Sequence, residues 1–215
     1  MKAGQKLTDD NNYNVMLFPI DEMYITQGEH GSISHVLAMD FVGWNGTSQV
    51  AHYPYYAPCN CRCIAKNYNN NQAYLIFESL NPVHFADNTI DYINFVVMHD
   101  DNPIKNVGDI VYQGDLLGHT GSSGYATGDH LHLNVARGKY QGWQNVGGAF
   151  YELKNSISIY NACFINDTTL YNSGGYNWKT YKGTPTPPTP PTPVEKSKNK
   201  WFKYLYSINY RNIKF

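Results

Sequence analysis

The segment His130-Leu131-His132-Leu133-Asn134-Val135 alternates polar and apolar side chains. Alternation marks a half-buried strand, because successive strand side chains point to opposite faces. His130, His132 and Asn134 then share one face, and Leu131, Leu133 and Val135 share the other. The two imidazoles stand about 6–7 Å apart at their Cβ atoms. Neutral imidazole is the commonest side-chain metal ligand and also serves as a general base. The plain alternative is a pair of solvent-facing histidines on a sheet. Other residues of the same chemistry lie upstream: His35, Asp40 and His99. Asp40 is set inside the apolar run VLAMDFV, where a lone carboxylate costs several kcal/mol unless it is paired or bound to metal. The chain thus offers one carboxylate and four imidazoles. Catalytic zinc typically takes three N/O ligands and keeps an open position. A separate imidazole can act as general base, and another can stabilise an oxyanion. Five groups suffice for these tasks, but spacing alone does not assign them.

The elements around these residues read as strands. Met23–Thr26, Val36–Val42, Ala73–Glu78 and Ile93–Met98 are short apolar or alternating runs separated by turn-rich loops. Residues 107–117 have the glycine and alternation of a hairpin. A glycine-dense turn from Gly118 to Gly128 then leads into His130. No convincing amphipathic helix and no repeat are found. The expectation is an all-β domain of short antiparallel strands. Nineteen tyrosines among 215 residues suit pleated surfaces, on which aromatic side chains pack well.

Charge divides the chain. Residues 184–215 carry 6 basic and 1 acidic side chains, whereas residues 1–183 carry 10 and 16. An acidic body argues against nucleic acid as a partner. No G-K-[ST] follows the glycine loop, which excludes a phosphate cradle of the P-loop kind. No G-x-S-x-G surrounds Ser122 and Ser123, which argues against a serine nucleophile. Cys59, Cys61 and Cys63 are too closely spaced for an unstrained disulfide and depart from the usual zinc spacing. They are expected to be reduced, small and buried, with Cys163 unpaired unless the fold brings it near. The N-terminal segment has no apolar h-region, and no run of about 18 apolar residues occurs, so neither an export signal nor a transmembrane helix is expected. Residues 184–193, TPTPPTPPTP, form a polyproline spacer. The 22 residues after it are basic and aromatic and too few for a core.

Three segments resemble the lysostaphin/LytM-type zinc endopeptidases, which cut peptide bonds in bacterial peptidoglycan. They are His35 to Phe41, Phe95 to His99, and Gly108-Asp109 through Gly114 to Gly118, Thr120-Gly121, Thr127-Gly128 and His130-Leu131-His132. The last is similar to the family's glycine loop plus H-x-H signature. The resemblance implies an all-β fold of antiparallel sheets, barrel-sandwich-like, over residues 1–183, with its core at about 15–165. It implies Zn2+ held by His35, Asp40 and His132. It implies His130 as general base and His99 as a stabiliser of the tetrahedral intermediate. The family usually has histidine and aspartate four apart, and here they are five apart. In one unbroken strand that spacing points them to opposite faces, so His35 is expected in the loop before the strand, with His30 as the alternative ligand.

A wall hydrolase without an export signal must reach its substrate another way. Bacteriophages do so from the virion tail or by release at lysis. The expected partners are a peptidoglycan peptide and, through residues 194–215, other phage tail proteins. The expected location is the virion or the host cytoplasm before release. A non-catalytic wall-binding or tail module on the same fold is the rival reading. His52 and His84 read as surface residues, and His119 as a possible groove residue.

Overall fold

The computed structural model describes residues 1–69 and 71–183. The spacer at 184–193 and the basic-aromatic segment at 194–215 lie outside the described residues. Eight strands build the main path of the principal sheet. They are β1 (Glu22–Gln27), β2 (Ala38–Trp44), β3 (Cys61–Asn67), β4 (Tyr74–Ser79), β5 (Ile93–Met98), β6 (Ile110–Val111), β7 (Leu131–Arg137) and, after a hairpin of β8 (Trp143–Gly147) and β9 (Phe150–Leu153), β10 (Thr169–Asn172). The order across the sheet is β6-β3-β4-β5-β7-β2-β1-β10, with Gln49–Val50 pairing β2 and Ser156–Ile157 pairing β7 beside it. Every pairing along it is antiparallel except β10 with β1, at one edge. Pro54–Tyr56 pairs separately with Leu116–His119.

The protein is all-β, as expected. The one helix among the described residues is α1 (Ile159–Ala162), a single turn. So short an element has no apolar periodicity to betray it in a sequence.

Both faces of the central strands are covered, so β2, β5 and β7 are buried almost end to end. One face carries the principal core: Met39 and Phe41 of β2, Phe77 of β4, Phe95 and Val97 of β5, and Leu131, Leu133 and Val135 of β7. Fully burying an apolar side chain of this size contributes about 1.5–3 kcal/mol. The opposite face is a smaller layer of Ile76, Val96, Ala136 and Leu153, with Trp143 packed against it. The β8–β9 hairpin supplies Trp143 and Leu153, so it lies over this second face. The period of two therefore puts Asp40, His132 and Asn134 on the face away from the main core.

Cys59, Cys61, Cys63 and Cys163 are all free and buried, and burial is the main cause that pushes their thiol pKa values up. They pack in the main core as small apolar groups. Among the described residues, no helix is long and apolar enough to cross a membrane.

Candidate functional site

The antiparallel register of β7 against β2 sets His132 directly opposite Asp40. His132 Nδ1 lies 3.0 Å from Asp40 Oδ1. His35 Nε2 lies 3.0 Å from the same oxygen. One potential ligand atom from each of His35, Asp40 and His132 falls within 4.8 Å of the others. Their side chains are only 6%, 12% and 11% exposed.

His35 reaches this point because β2 begins at Ala38, three residues after it. The loop before the strand is closed on itself: His35 N–H donates to the Ser32 carbonyl at 3.1 Å, and His30 N–H donates to the His35 carbonyl at 2.6 Å. The five-residue spacing to Asp40 is therefore spent partly in a loop, and strand parity does not hold the two side chains apart. His30, at a positive φ of 59°, is exposed and outside the cluster.

The His35 ring is oriented at its other nitrogen. Nδ1 lies 2.8 Å from Ser34 Oγ and 3.2 Å from Ser32 Oγ, and Ser32 Oγ accepts from Gln27 Nε2 at 2.6 Å. Nε2 is buried with no hydrogen-bond partner, although a carboxylate oxygen is 3.0 Å away. A lone pair facing a carboxylate at that distance is repulsive unless a proton or a cation sits between them. This orphaned nitrogen, converging with a carboxylate oxygen and a second imidazole nitrogen, fits a metal with three N/O protein ligands. Burial raises the pKa of Asp40, but the His132 bond and the adjoining His35 and His130 imidazoles outweigh it and hold the carboxyl well below its ordinary value. The group is thus ionised, as a ligand must be.

Two more imidazoles flank the cluster. His130 precedes β7 and pairs with Gly121 across an isolated bridge. Its Nδ1 donates to the Gly128 carbonyl at 2.7 Å. A carbonyl only accepts, so the neutral ring keeps a bare Nε2. That nitrogen lies 3.6 Å from Asp40 Oδ2. His99 leaves the end of β5 at a positive φ of 78°, and its Nδ1 donates to the Ser123 carbonyl at 2.8 Å. Its ring centroid is 4.5 Å from that of His130 and 6.0 Å from that of His132. Burial, and then the neighbouring His130 and His132, push its pKa down to about 4 against the pull of the Ser123 bond. His99 is therefore neutral at neutral pH.

All five residues singled out in the sequence lie in one place. Two glycines of the glycine-dense turn are required by packing inside the protein. A Cβ at Gly118 would overlap Tyr55 and Asp100, and one at Gly121 would overlap the His99 carbonyl oxygen. These glycines permit close internal packing of the loop that carries His99, while Gly128 faces open space. Tyr55 is fully buried, whereas Tyr125 is 82% exposed. His52 is a surface residue, as read from the sequence. His84 is not: it is largely buried, with Nδ1 2.9 Å from Asp9 Oδ2. Sequence reasoning missed Ser32 and Ser34, which aim His35, and Glu152, which holds the segment after it. Ser and Glu in loops and hairpins are too common to be singled out without coordinates.

No family model matches the chain. Morphogenesis protein 1 of Bacillus phage B103 is 45% identical over 166 residues, which cover 76% of this chain and 43% of that protein. The chain thus spans less than half the length of this relative. Among solved structures, a zinc-containing peptidase from Vibrio cholerae has 20% identity and a TM-score of 0.44, over 61% of this chain and 40% of that one. The catalytic domain of lysostaphin from Staphylococcus simulans has 18% identity and a TM-score of 0.38, over 64% and 81%. A peptidase M23 structure from Pseudomonas aeruginosa has 21% identity and a TM-score of 0.40, over 64% and 49%.

Proposed function

We propose that this protein is a zinc-dependent endopeptidase that cleaves peptide bonds of bacterial peptidoglycan in the service of a bacteriophage. The observation that carries the reading is the buried His35–Asp40–His132 cluster, in which Asp40 Oδ1 lies 3.0 Å from both imidazoles and the buried His35 Nε2 has no hydrogen-bond partner. His35 Nε2, Asp40 Oδ1 and His132 Nδ1 are the atoms that would hold the ion. A zinc ion bound there supplies Lewis-acid polarisation of a carbonyl and of water.

The remaining chemistry belongs to the flanking imidazoles. The Gly128 carbonyl fixes the His130 ring with Nε2 as an acceptor beside Asp40, the position of a general base for the attacking water. Once protonated, the same nitrogen can return the proton to the leaving amine. His99 stands next to it in the corresponding tautomer, with its Nε2 likewise bare. His99 becomes a donor to a tetrahedral oxyanion only when Nε2 carries a proton, so its stabilising role is tied to proton uptake. The wall substrate rests on the H-x-H, glycine-loop and strand motifs of the sequence. The phage setting is supported by the 45% identity to a protein named for phage morphogenesis. Within the phage, a place in the virion fits that name better than release at lysis.

The deciding experiment is turbidity loss of purified Gram-positive cell walls. Lysis should stop with chelator and return with zinc. His132→Ala should lose the metal. His130→Ala should keep one zinc per chain and lose roughly 10²–10⁴ in rate, because the base alone is removed. Wild-type protein that carries zinc but releases no new amino termini from any wall would refute the hydrolase reading. Absence of the chain from purified virions by mass spectrometry would refute the virion setting.

A further inference from the structure

The geometry points to Glu152 as the residue that positions the ligand-bearing segment His35–Asp40 for metal binding. The inference rests on the metal site proposed above, and it explains how two ligands five residues apart can converge. Glu152 lies on β9, in the hairpin that covers the second face of the sheet, and is 1% exposed. Its Oε1 accepts from the Leu37 N–H at 2.8 Å and from the Ala38 N–H at 3.1 Å. These two amides sit at the junction between the His35 loop and the first residue of β2. The same junction is gripped from the other side. Asn134, the third polar residue on the histidine face of β7, donates from Nδ2 to the Leu37 carbonyl at 3.3 Å. The Oδ1 of Asn134 accepts from the Leu153 N–H at 2.9 Å and from Ser156 Oγ at 3.1 Å, which ties the hairpin to the same strand.

Leu37 thus has both backbone polar groups held by side chains rather than by a neighbouring strand. This is the point where the chain must leave strand geometry if His35 is to turn toward Asp40. A carboxylate that accepts two backbone N–H bonds is a strong fastener for such a junction. The second oxygen, Oε2, is buried without a partner. A buried unpaired carboxylate oxygen is costly, and a carboxylate whose only task was to fill space in an apolar layer would be replaced to advantage by a methionine or leucine. Glu152 touches neither the ligand atoms nor any reacting group, so its part is positional. It fixes a backbone on which the His35 ring and the Asp40 carboxylate both depend.

The test measures zinc affinity of the full chain by competition with a chromophoric chelator, alongside the melting temperature of the zinc-free protein. Glu152→Met keeps the length of the side chain and removes both acceptor bonds. It should weaken zinc binding by roughly 10–100-fold, the usual consequence of losing an outer-sphere support. Glu152→Gln keeps an acceptor oxygen and should stay within about threefold of wild type, the difference between a charged and a neutral acceptor. Amide exchange at Leu37 and Ala38 should quicken in the methionine variant and not in the glutamine one. If Glu152→Met does not fold, Glu152→Asp, which withdraws the acceptor by one methylene, should show the same weakening. Wild-type zinc affinity in folded Glu152→Met or Glu152→Asp overturns the proposal, even if the melting temperature falls. So does a glutamine variant as weak as the methionine one. Zinc binding without wall cleavage in wild type would defeat the proposed function and leave this inference standing.

Discussion

Among the described residues, two groups of side chains have ligand atoms close enough together to hold a metal ion: His35, Asp40 and His132, and His52, Asp101 and Asp129. Both are compact sets of imidazole and carboxylate, two to one in the first and one to two in the second, and their surroundings differ. In the first group no side chain is more than 12% exposed. In the second, His52 is 66% exposed and Asp101 34%. The carboxylates of the second group already have partners: Asp129 accepts from the Thr120 hydroxyl and the His52 N–H, and Asp101 from the Ser122 N–H and the Ser123 hydroxyl. They fasten loops. In the first group the buried Nε2 of His35 has no hydrogen-bond partner and faces a carboxylate oxygen 3.0 Å away. Proximity of donors is thus a weak criterion. What separates the two groups is a buried lone pair that the protein itself does not satisfy.

The sharpest way to break this contrast is Asp40→Asn. It removes the negative charge on which the two imidazole ligands converge, and zinc content should fall from one per chain to near zero, with wall lysis lost. Elemental analysis of the purified variant reads this directly. A variant that still carries a full equivalent of zinc would move the metal to the exposed group.

A second, smaller effect concerns the pH dependence of the zinc-free protein. His99 has a folded-state pKa of about 4 against an ordinary 6.5. The unfolded chain therefore takes up a proton first as pH falls, and stability drops between about pH 6.5 and 4. Asp40 acts in a lower window. Its folded pKa is depressed, so its contribution is present above the ordinary carboxylate value and is lost only below it. His99→Gln should flatten the melting-temperature profile between pH 6.5 and 4 and leave the steep acid limb in place. A profile unchanged by the substitution would mean that His99 is not held neutral by its surroundings.

The smallest expected effect is the most useful control. His52→Asn removes the imidazole from the exposed group while tolerating the positive φ of 53° found there. Zinc stoichiometry and wall lysis should not change, and stability should stay within about 0.5 kcal/mol, as for other surface substitutions. A loss of zinc on this substitution would show that the exposed group holds metal.

Much of this was legible without coordinates because strands write their two faces into alternate residues. The pattern His130 to Val135 was enough to set His132 and Asn134 on one face and the leucines on the other. The run INFVVM marked a buried strand and put His99 at its end. An aspartate inside VLAMDFV called for a partner, since burial makes an unpaired carboxylate expensive. Other features were out of reach. The register that sets His132 opposite Asp40 joins strands 92 residues apart, and nothing local encodes it. β2 starts at Ala38 rather than Val36, and the Ala38 N–H there is held by Glu152, 114 residues away. The purpose of Gly118 and Gly121 became visible only with their packing against Tyr55, Asp100 and His99.

Residue type and a period of two were enough to tell which side chains can bind an ion or carry a proton and which face of each strand they occupy. The meeting of His35 Nε2, Asp40 Oδ1 and His132 Nδ1, the uncharged state of His99 and the loop-fastening work of the exposed trio came only with the folded sheet. Those outcomes depend on burial and on hydrogen bonds between distant segments, which exist only once the sheet has closed its register.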